Sequence, residues 1–400
     1  MKPSTTNVMI KYTKFACPNS SCSFYAQFNA GNITHRSWTG KDKKIERLRC
    51  IHCRKEFSER KATLMENSKI SGKTHEQMLK CMRWGVCDEG IADICDVSIK
   101  TVRLNQNKAA SRAEKHHDIE VQGIRDSGVQ LDEMHCKVTK DRGFWLGTAI
   151  AMQSLLIVAV TFGERNQGMA DRLLAEICLR FTFLLSIFTD GWRPYISAIL
   201  RAFGNLYRPR RKEGEGRVLK KRLRLPELFY GQVVKIRDNA LKLVGVEHRA
   251  TIGKMKEVLF FIKAYDLGNK IHTIHMERWY GTLRCCLACC RRRSRCLSKS
   301  RGRQKQKIWV FIDLYNWVID HGSLKQEGIR RTPAMAAGLI DHQLTYQEYI
   351  MLPVYDNYLW REKLSNKVVA MNDGEMLGAS RRVKIRPEKV QIMGSGGVAA

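Results

Sequence analysis

Three acidic residues stand out by where they sit. Asp132 interrupts the apolar run "VQLDEMHCKV", with Glu133 beside it, and Asp190 ends another apolar run in "IFTDGW". Glu277 is the single acid among twelve Lys/Arg between Leu267 and Lys307. A carboxylate is costly to bury without a partner. Taken singly, each has an ordinary reading: Asp190 as a turn or cap residue, Glu277 as a surface ion-pair partner of Arg278 or Arg284. Taken together, two strand acids and one helix acid can converge on divalent cations. Carboxylates suit Mg²⁺, which keeps waters and binds substrate phosphates. Two such ions about 4 Å apart would activate an attacking oxygen and stabilise a leaving one in phosphodiester chemistry. The arginines around Glu277 would then hold a phosphate backbone: Arg278, Arg284 and the run Arg291, Arg292, Arg293. On a helix, Glu277, Tyr280, Gly281 and Arg284 share a face. Gly281 there would leave room for a close backbone approach.

A second chemistry is written near the N-terminus. Cys17 and Cys22 are followed by Cys50 and Cys53. Two closely spaced pairs match four-thiolate tetrahedral zinc coordination, and "RLRCIHCRKEF" has the basic and aromatic flanks of a zinc-ribbon knuckle. A further group, Cys285, Cys286, Cys289, Cys290 and Cys296, reads as small half-buried helix residues, because one helix face rarely supplies four tetrahedral ligands.

Between these sites, "GVCDEGIADICDVSIKTVRL" reads as a helix, a short turn and a second helix. Ile91, Ala92, Ile94 and Cys95 are expected inside, and Ser98 is expected to cap the second helix. Ser98, Lys100, Thr101 and Arg103 then stand where a helix-turn-helix presents side chains to the DNA major groove.

The elements that must position the acids lie in the middle of the chain. "VQLDEMHCKV", "GFWLGTAIAM" and "SLLIVAVTFG" predict an antiparallel meander broken at Gly143 and Gln153. "NQGMADRLLAEICLRF" has helical period, "LLSIFTDG" is a short strand, and "WRPYISAILRAF" is a helix with Pro194 near its start. Residues 205–225 read as a charged linker, followed by the strand-like "FYGQVVKIRD" and "LKLVGVEHRATIG". A long basic helix is expected from about His275 to His321. The last 30 or so residues are expected to be poorly ordered. This gives an α/β class with a zinc ribbon over 1–60, a helix-turn-helix over 61–120, a catalytic domain over 125–325 with an insertion near 205–270, and a C-terminal extension over 326–400.

The totals set the partner class. With 70 Lys+Arg against 39 Asp+Glu, the 400-residue chain carries a formal charge of +31. Such a field attracts polyanions, nucleic acid first among them. No signal peptide or membrane span is expected: the run Gly147–Phe162 is interrupted by Gln153, Ser154 and Thr161 and reads as two strands. Fourteen Cys without an export signal imply reduced thiols or metal ligands, in a cytoplasmic, nucleoid-associated protein.

Several of these stretches taken together resemble transposases of the insertion sequence one family, a branch of the DDE transposases. The matching pieces are "LDEMH", "FTDGWRPY", "HMERWYGTLR", "CLSKS", "LYNWVIDHGSL" and "RTPAMAAGLIDH", with the Cys pairs and the helix-turn-helix in the same order, over most of residues 15–345. The resemblance implies a ribonuclease H-like catalytic fold whose triad falls on Asp132, Asp190 and Glu277, binding Mg²⁺ or Mn²⁺. Glu133 is the alternative first ligand. It implies recognition of terminal inverted repeats on double-stranded DNA, hydrolysis that exposes 3′-hydroxyls, and their direct transfer to target DNA by a homo-oligomer. Family members commonly carry Asn where Tyr280 stands, and an Arg-Lys-Thr run where this chain has Ser294 and Arg295. The competing readings are a DNA-binding regulator with a dead or decayed catalytic domain, and a nuclease of the same fold that cuts without joining.

Overall fold

The computed structural model describes residues 12–139, 141–209, 220–293, 296–356 and 358–393. The chain forms two compact units, Met1–His117 with Leu344–Asn357, and Asp118–Gln343 with Tyr358–Ala400. Overall it is mixed α/β with one large mixed sheet.

In the first unit, β1 (Ile33–Thr39), β2 (Ile45–Cys50) and β3 (Glu56–Ser58) make an antiparallel sheet in that order. Helices α1 (Gly72–Arg83), α2 (Asp88–Ile94) and α3 (Ile99–Glu120) follow. Asp96 turns the chain between α2 and α3 with φ of 48°. Ser98 caps α3 as expected, its Oγ accepting from Thr101 N at 3.1 Å. Ile91 and Cys95 are buried, but Ile94 is 49% exposed and does not enter the core. The short α2 has room for only one inward position per turn, and Ile91 takes it.

In the second unit, β4 (Ile124–Arg125) precedes β5 (Gly128–Val138), β6 (Asp141–Ala151) and β7 (Ile157–Gly163). These last three form the expected antiparallel meander, although Gly143 lies inside β6 rather than at the turn before it. Helix α4 (Gln167–Arg180) leads through β8 (Phe181–Phe183) to β9 (Ser186–Asp190), and α5 (Pro194–Phe203) follows with Pro194 in its first turn. β10 (Asn205–Tyr207) and β11 (Arg222–Arg224) pair antiparallel, with Leu206 opposite Leu223. So 205–225 is not simply a linker: its two ends are held by a hydrophobic cross-strand pair. Positions 210–219 lie outside the described residues.

β12 (Phe229–Arg237) and β13 (Leu243–Ile252) were expected within an insertion, yet both belong to the main sheet. α6 (Met255–Ala264), α7 (Ile274–Cys286), α8 (Arg301–Trp317), β14 (His321–Gln326), β15 (Ile329–Arg331) and α9 (Pro333–Ala336) complete this stretch. The expected continuous basic helix from 275 to 321 is therefore broken. Leu287 leaves helical geometry (φ −105°, ψ 101°), and α8 starts afresh where Ser300 Oγ accepts from Arg303 N.

The chain then contributes α10 (Tyr346–Met351) to the first unit, where Arg112 donates to the carbonyls of Tyr349 and Leu352. The second unit ends with α11 (Tyr358–Met371), α12 (Gly374–Arg382) and β16 (Glu388–Met393). The 326–400 extension is thus not one body, and much of its expected disordered end has regular structure. Trp360 of α11 lies 4.2 Å from the fully buried Arg180 guanidinium, and β16 pairs along β13. Positions 394–400 lie outside the described residues.

The seven-stranded sheet runs β16-β13-β12-β9-β5-β6-β7. β9 is parallel to both β5 and β12, and the other pairs are antiparallel. Gln130 reaches α7 and Glu133 reaches α5, and residues three apart on a strand point to opposite faces. Helices therefore cover both faces. That explains why β5 and β7 are buried almost along their whole lengths instead of alternating.

Candidate functional site

The acids meet through strand register. Parallel pairing sets Thr189 of β9 opposite Leu131 of β5, so the following residues, Asp190 and Asp132, emerge side by side. Carboxylate oxygens of Asp132, Glu133 and Asp190 lie within 4.8 Å of one another. Glu277 of α7 lines the same cleft, together with Arg165, Trp192, Arg193, Lys235 and Thr273, around a volume of about 640 Å³. Glu277 is not one of the close trio; its Oε1 faces Lys235 Nζ at 3.4 Å.

α7 is stitched to β5 at two points. Gln130 Oε1 accepts from His275 N (3.0 Å) and Met276 N (3.3 Å), occupying two of the unpaired amides of the first turn. One turn beyond Glu277, Tyr280 Oη donates to the carbonyls of Asp132 (2.6 Å) and Leu146 (3.2 Å). Gln130, Asp132 and Tyr280 thus fix where Glu277 stands.

The three strand acids differ in environment. Burial, then the neighbouring Asp190, pushes the Asp132 carboxyl up to about 6. Burial likewise pushes Glu133 up to about 7, against the opposing hydrogen bond from Tyr195. Glu133 Oε1 accepts from Tyr195 Oη, and its Oε2 accepts from Arg165 Nε at 2.9 Å. Arg165 Nη2 also lies 3.5 Å from Asp190 Oδ2, and its guanidinium stacks over Trp192 (4.5 Å) and Trp145 (5.3 Å). Asp190 Oδ1 accepts from Trp192 N at 2.9 Å. Arg165, Tyr195 and Lys235 were not singled out from the sequence. The pieces "DGWRPY" and "VVKIRD" contain two of them, but nothing local marks their aim.

Of the basic residues, Arg278 is exposed and Arg284 half-buried, its guanidinium 5.7 Å from the Tyr280 ring. Arg291, Arg292 and Arg293 are exposed but not on a helix face: α7 has ended, and Arg291 turns back to donate to the carbonyls of Arg284 and Cys285. Gly281 has space beside it: beyond its own helix backbone and chain neighbours, nothing lies within 4 Å of a Cβ placed there. Cys289 and Cys290 are buried and Cys285 and Cys296 exposed, so this group is split rather than gathered. Ser294 and Arg295 lie outside the described residues.

In the first unit, the Sγ atoms of Cys17, Cys22, Cys50 and Cys53 lie within 4.8 Å of one another, with Cys17 and Cys53 at 3.5 Å. A tetrahedral site with Zn–S of about 2.3 Å puts sulfurs ~3.8 Å apart, so the four fit one ion. Asn32 Nδ2 donates to Cys50 Sγ at 3.2 Å, the kind of outer contact that orients a thiolate. Lys100 and Arg103 are exposed at the start of α3, and Arg103 is held by Asp88 at 3.3 Å.

No protein-family model matches the chain, and no curated protein matches it. No helix among the described residues is long and apolar enough to cross a membrane.

Proposed function

We propose that the protein is a metal-dependent DNA transposase of the DDE type, with a ribonuclease H-like catalytic domain in its second unit. The observation that carries this reading is the meeting of Asp132, Asp190 and Glu277, from β5, β9 and α7, on one open cleft rimmed by Arg165, Arg193 and Lys235. The strand order β7-β6-β5-β9-β12, antiparallel for three strands and then parallel, supports the fold assignment. The four-cysteine cluster and the α2–α3 pair support a zinc-ribbon and helix-turn-helix region for reading terminal inverted repeats.

Asp132, Asp190 and Glu277 would hold Mg²⁺ or Mn²⁺, which supplies stabilisation of charge on the phosphodiester oxygens. The chain's own residues do the rest. Arg193 and Lys235 neutralise phosphates at the rim, while Gln130 and Tyr280 keep α7 in register with β5. Water releases the 3′-hydroxyl of the element end. That hydroxyl then bonds to a target phosphorus while the target's 3′-oxygen leaves with the proton, so no Ser or Tyr nucleophile is needed. Two element ends have to be handled together, which calls for a homo-oligomer on DNA.

The test is incubation with DNA carrying the gene's two flanks, in Mg²⁺ or Mn²⁺, beside Glu277→Gln. The expected result is nicking and joining by wild type and binding alone by the variant. Equal binding with no cutting by either protein would leave a DNA-binding regulator or a decayed copy. Cutting without joining would leave a nuclease.

A further inference from the structure

We infer that Glu133, the acid nearest to Asp132 in the chain, is not a cation ligand but the anchor of an Arg165 clamp that aims Asp190 into the cleft. The inference rests on the reading of the cleft as a divalent-cation site and adds two positioning residues to it.

The geometry separates the neighbouring acids. Both oxygens of Glu133 are committed, Oε1 to Tyr195 and Oε2 to Arg165, and its side chain is 1% exposed. Asp190 and Glu277 are open to the cleft, with side chains 42% and 60% exposed. Arg165 suits a clamp because its guanidinium is planar and offers several fixed donors. One edge binds Glu133, Nη2 reaches Asp190, and the faces lie against Trp145 and Trp192. Trp192 in turn donates its amide to the other oxygen of Asp190. Asp190 is thereby held at both oxygens, by a guanidinium and a backbone amide whose residues line the same cleft wall.

The clamp also sets the local charge. Three carboxylates within 4.8 Å would repel one another. The Arg165 cation offsets that repulsion permanently, at a position where a metal would otherwise draw Glu133 in. If Arg165 is replaced by Gln, Glu133 is released and one positive charge leaves the site. Cation binding then becomes tighter while Asp190 loses its aim. A merely structural ion pair predicts no such opposition of effects.

The experiment uses the full-length, zinc-loaded chain and Mn²⁺, with binding followed by electron paramagnetic resonance and turnover by nicking of flank DNA. Asp132→Asn is expected to weaken Mn²⁺ about tenfold or more. Glu133→Gln keeps the shape and one acceptor, which can still take the Arg165 Nε–H while its NH₂ faces Tyr195 Oη, and is expected to retain Mn²⁺ far better than Asp132→Asn. Arg165→Gln is expected to bind Mn²⁺ at least about threefold tighter, from the loss of a nearby cation, yet to nick about 10–100-fold more slowly. Arg165→Gln combined with Glu133→Gln should lose the extra affinity. Arg165→Lys guards against misfolding: it keeps the charge, so it should bind Mn²⁺ like wild type but remain slow. If Glu133→Gln loses Mn²⁺ as Asp132→Asn does, Glu133 is a ligand and the clamp is overturned while the cation site stands. If Arg165→Gln binds Mn²⁺ no better than wild type, the clamp is likewise overturned. If wild type binds no Mn²⁺, both the clamp and the catalytic reading fall.

Discussion

The phenol of Tyr280 donates a 2.6 Å hydrogen bond to the backbone carbonyl of Asp132. The bond ties the helix bearing Glu277 to the strand bearing the first acid; Tyr280 is buried and Asp132 half-buried. The same phenol also reaches the carbonyl of Leu146.

Tyr280→Phe keeps the ring and removes both contacts. It takes the shared phenol proton away from the Asp132 and Leu146 carbonyls, so a loss of about 1–3 kcal/mol is expected. Urea unfolding measures this. Cleavage should fall further than stability alone explains, because Glu277 loses its register. A variant as stable and as active as wild type would remove Tyr280 from the positioning of the site.

Gly281→Ala tests the open face of α7. With nothing beyond its own helix backbone and chain neighbours within 4 Å of the added methyl, the fold should tolerate it and gain up to about 1 kcal/mol of helix propensity. Thermal unfolding should rise. If DNA binding and cleavage are unchanged, no substrate backbone approaches this position. A selective loss of cleavage places the substrate there.

A zinc ion held by the four cysteines would make the small β1–β3 region of the first unit depend on it for folding, so chelation should unfold that region. Its core is small, built on Tyr12, Cys17, Cys22, Ile33, Leu48, Cys50 and Phe57, and four of the fourteen cysteines converge within it. Small metal domains depend on the ion for folding free energy. Chelation or Cys50→Ser should abolish sequence-specific DNA binding and lower near-ultraviolet ellipticity. Normal folding in strong chelator would refute a structural zinc.

The buried acids set a pH dependence. Asp132 is raised to about 6 and Glu133 and Glu176 to about 7, all chiefly by burial. The folded state therefore binds more protons than the unfolded chain between the ordinary carboxylate range and these values. The contribution of these groups to stability is present at low pH and is lost as pH rises from about 4 to about 7. In Mg²⁺-free buffer that retains zinc, Glu133→Gln should flatten the fall of Tm with pH over this window. Mn²⁺ competes with the proton on Asp132, so its affinity should rise as pH passes about 6. An unchanged slope in the variant would contradict the buried state of Glu133.

Much of the positioning frame was legible because it is local. Apolar, β-rich runs mark β5, β6, β7 and β9, helical periods mark α4 and α5, and Ser98 announces the start of α3. The acids were legible because a carboxylate in an apolar strand is conspicuous, and the paired cysteines because closely spaced thiols on turns have few other uses. The breaks were less visible. The basic composition of 275–321 is compatible with one helix, and only Leu287 and the cap at Ser300 divide it. The polar tail gave no sign of its strand, because β16 owes its order to pairing with β13.

What the sequence by itself determined is the inventory: the central strands and helices, the acids and thiols they carry, and the sign of the field around them. What the tertiary structure alone decided is which groups touch. Arg165 meets Glu133 across 32 residues, Tyr195 meets it across 62, and Tyr280 meets Asp132 across 148. Such contacts depend on the register of β9 against β5 and on the helices lying over both faces of the sheet. A one-residue slip would send every side chain of a strand to the other face. Local pattern therefore names the candidates, and long-range pairing selects among them: Asp132 faces the cleft, while its neighbour Glu133 is turned to the clamp.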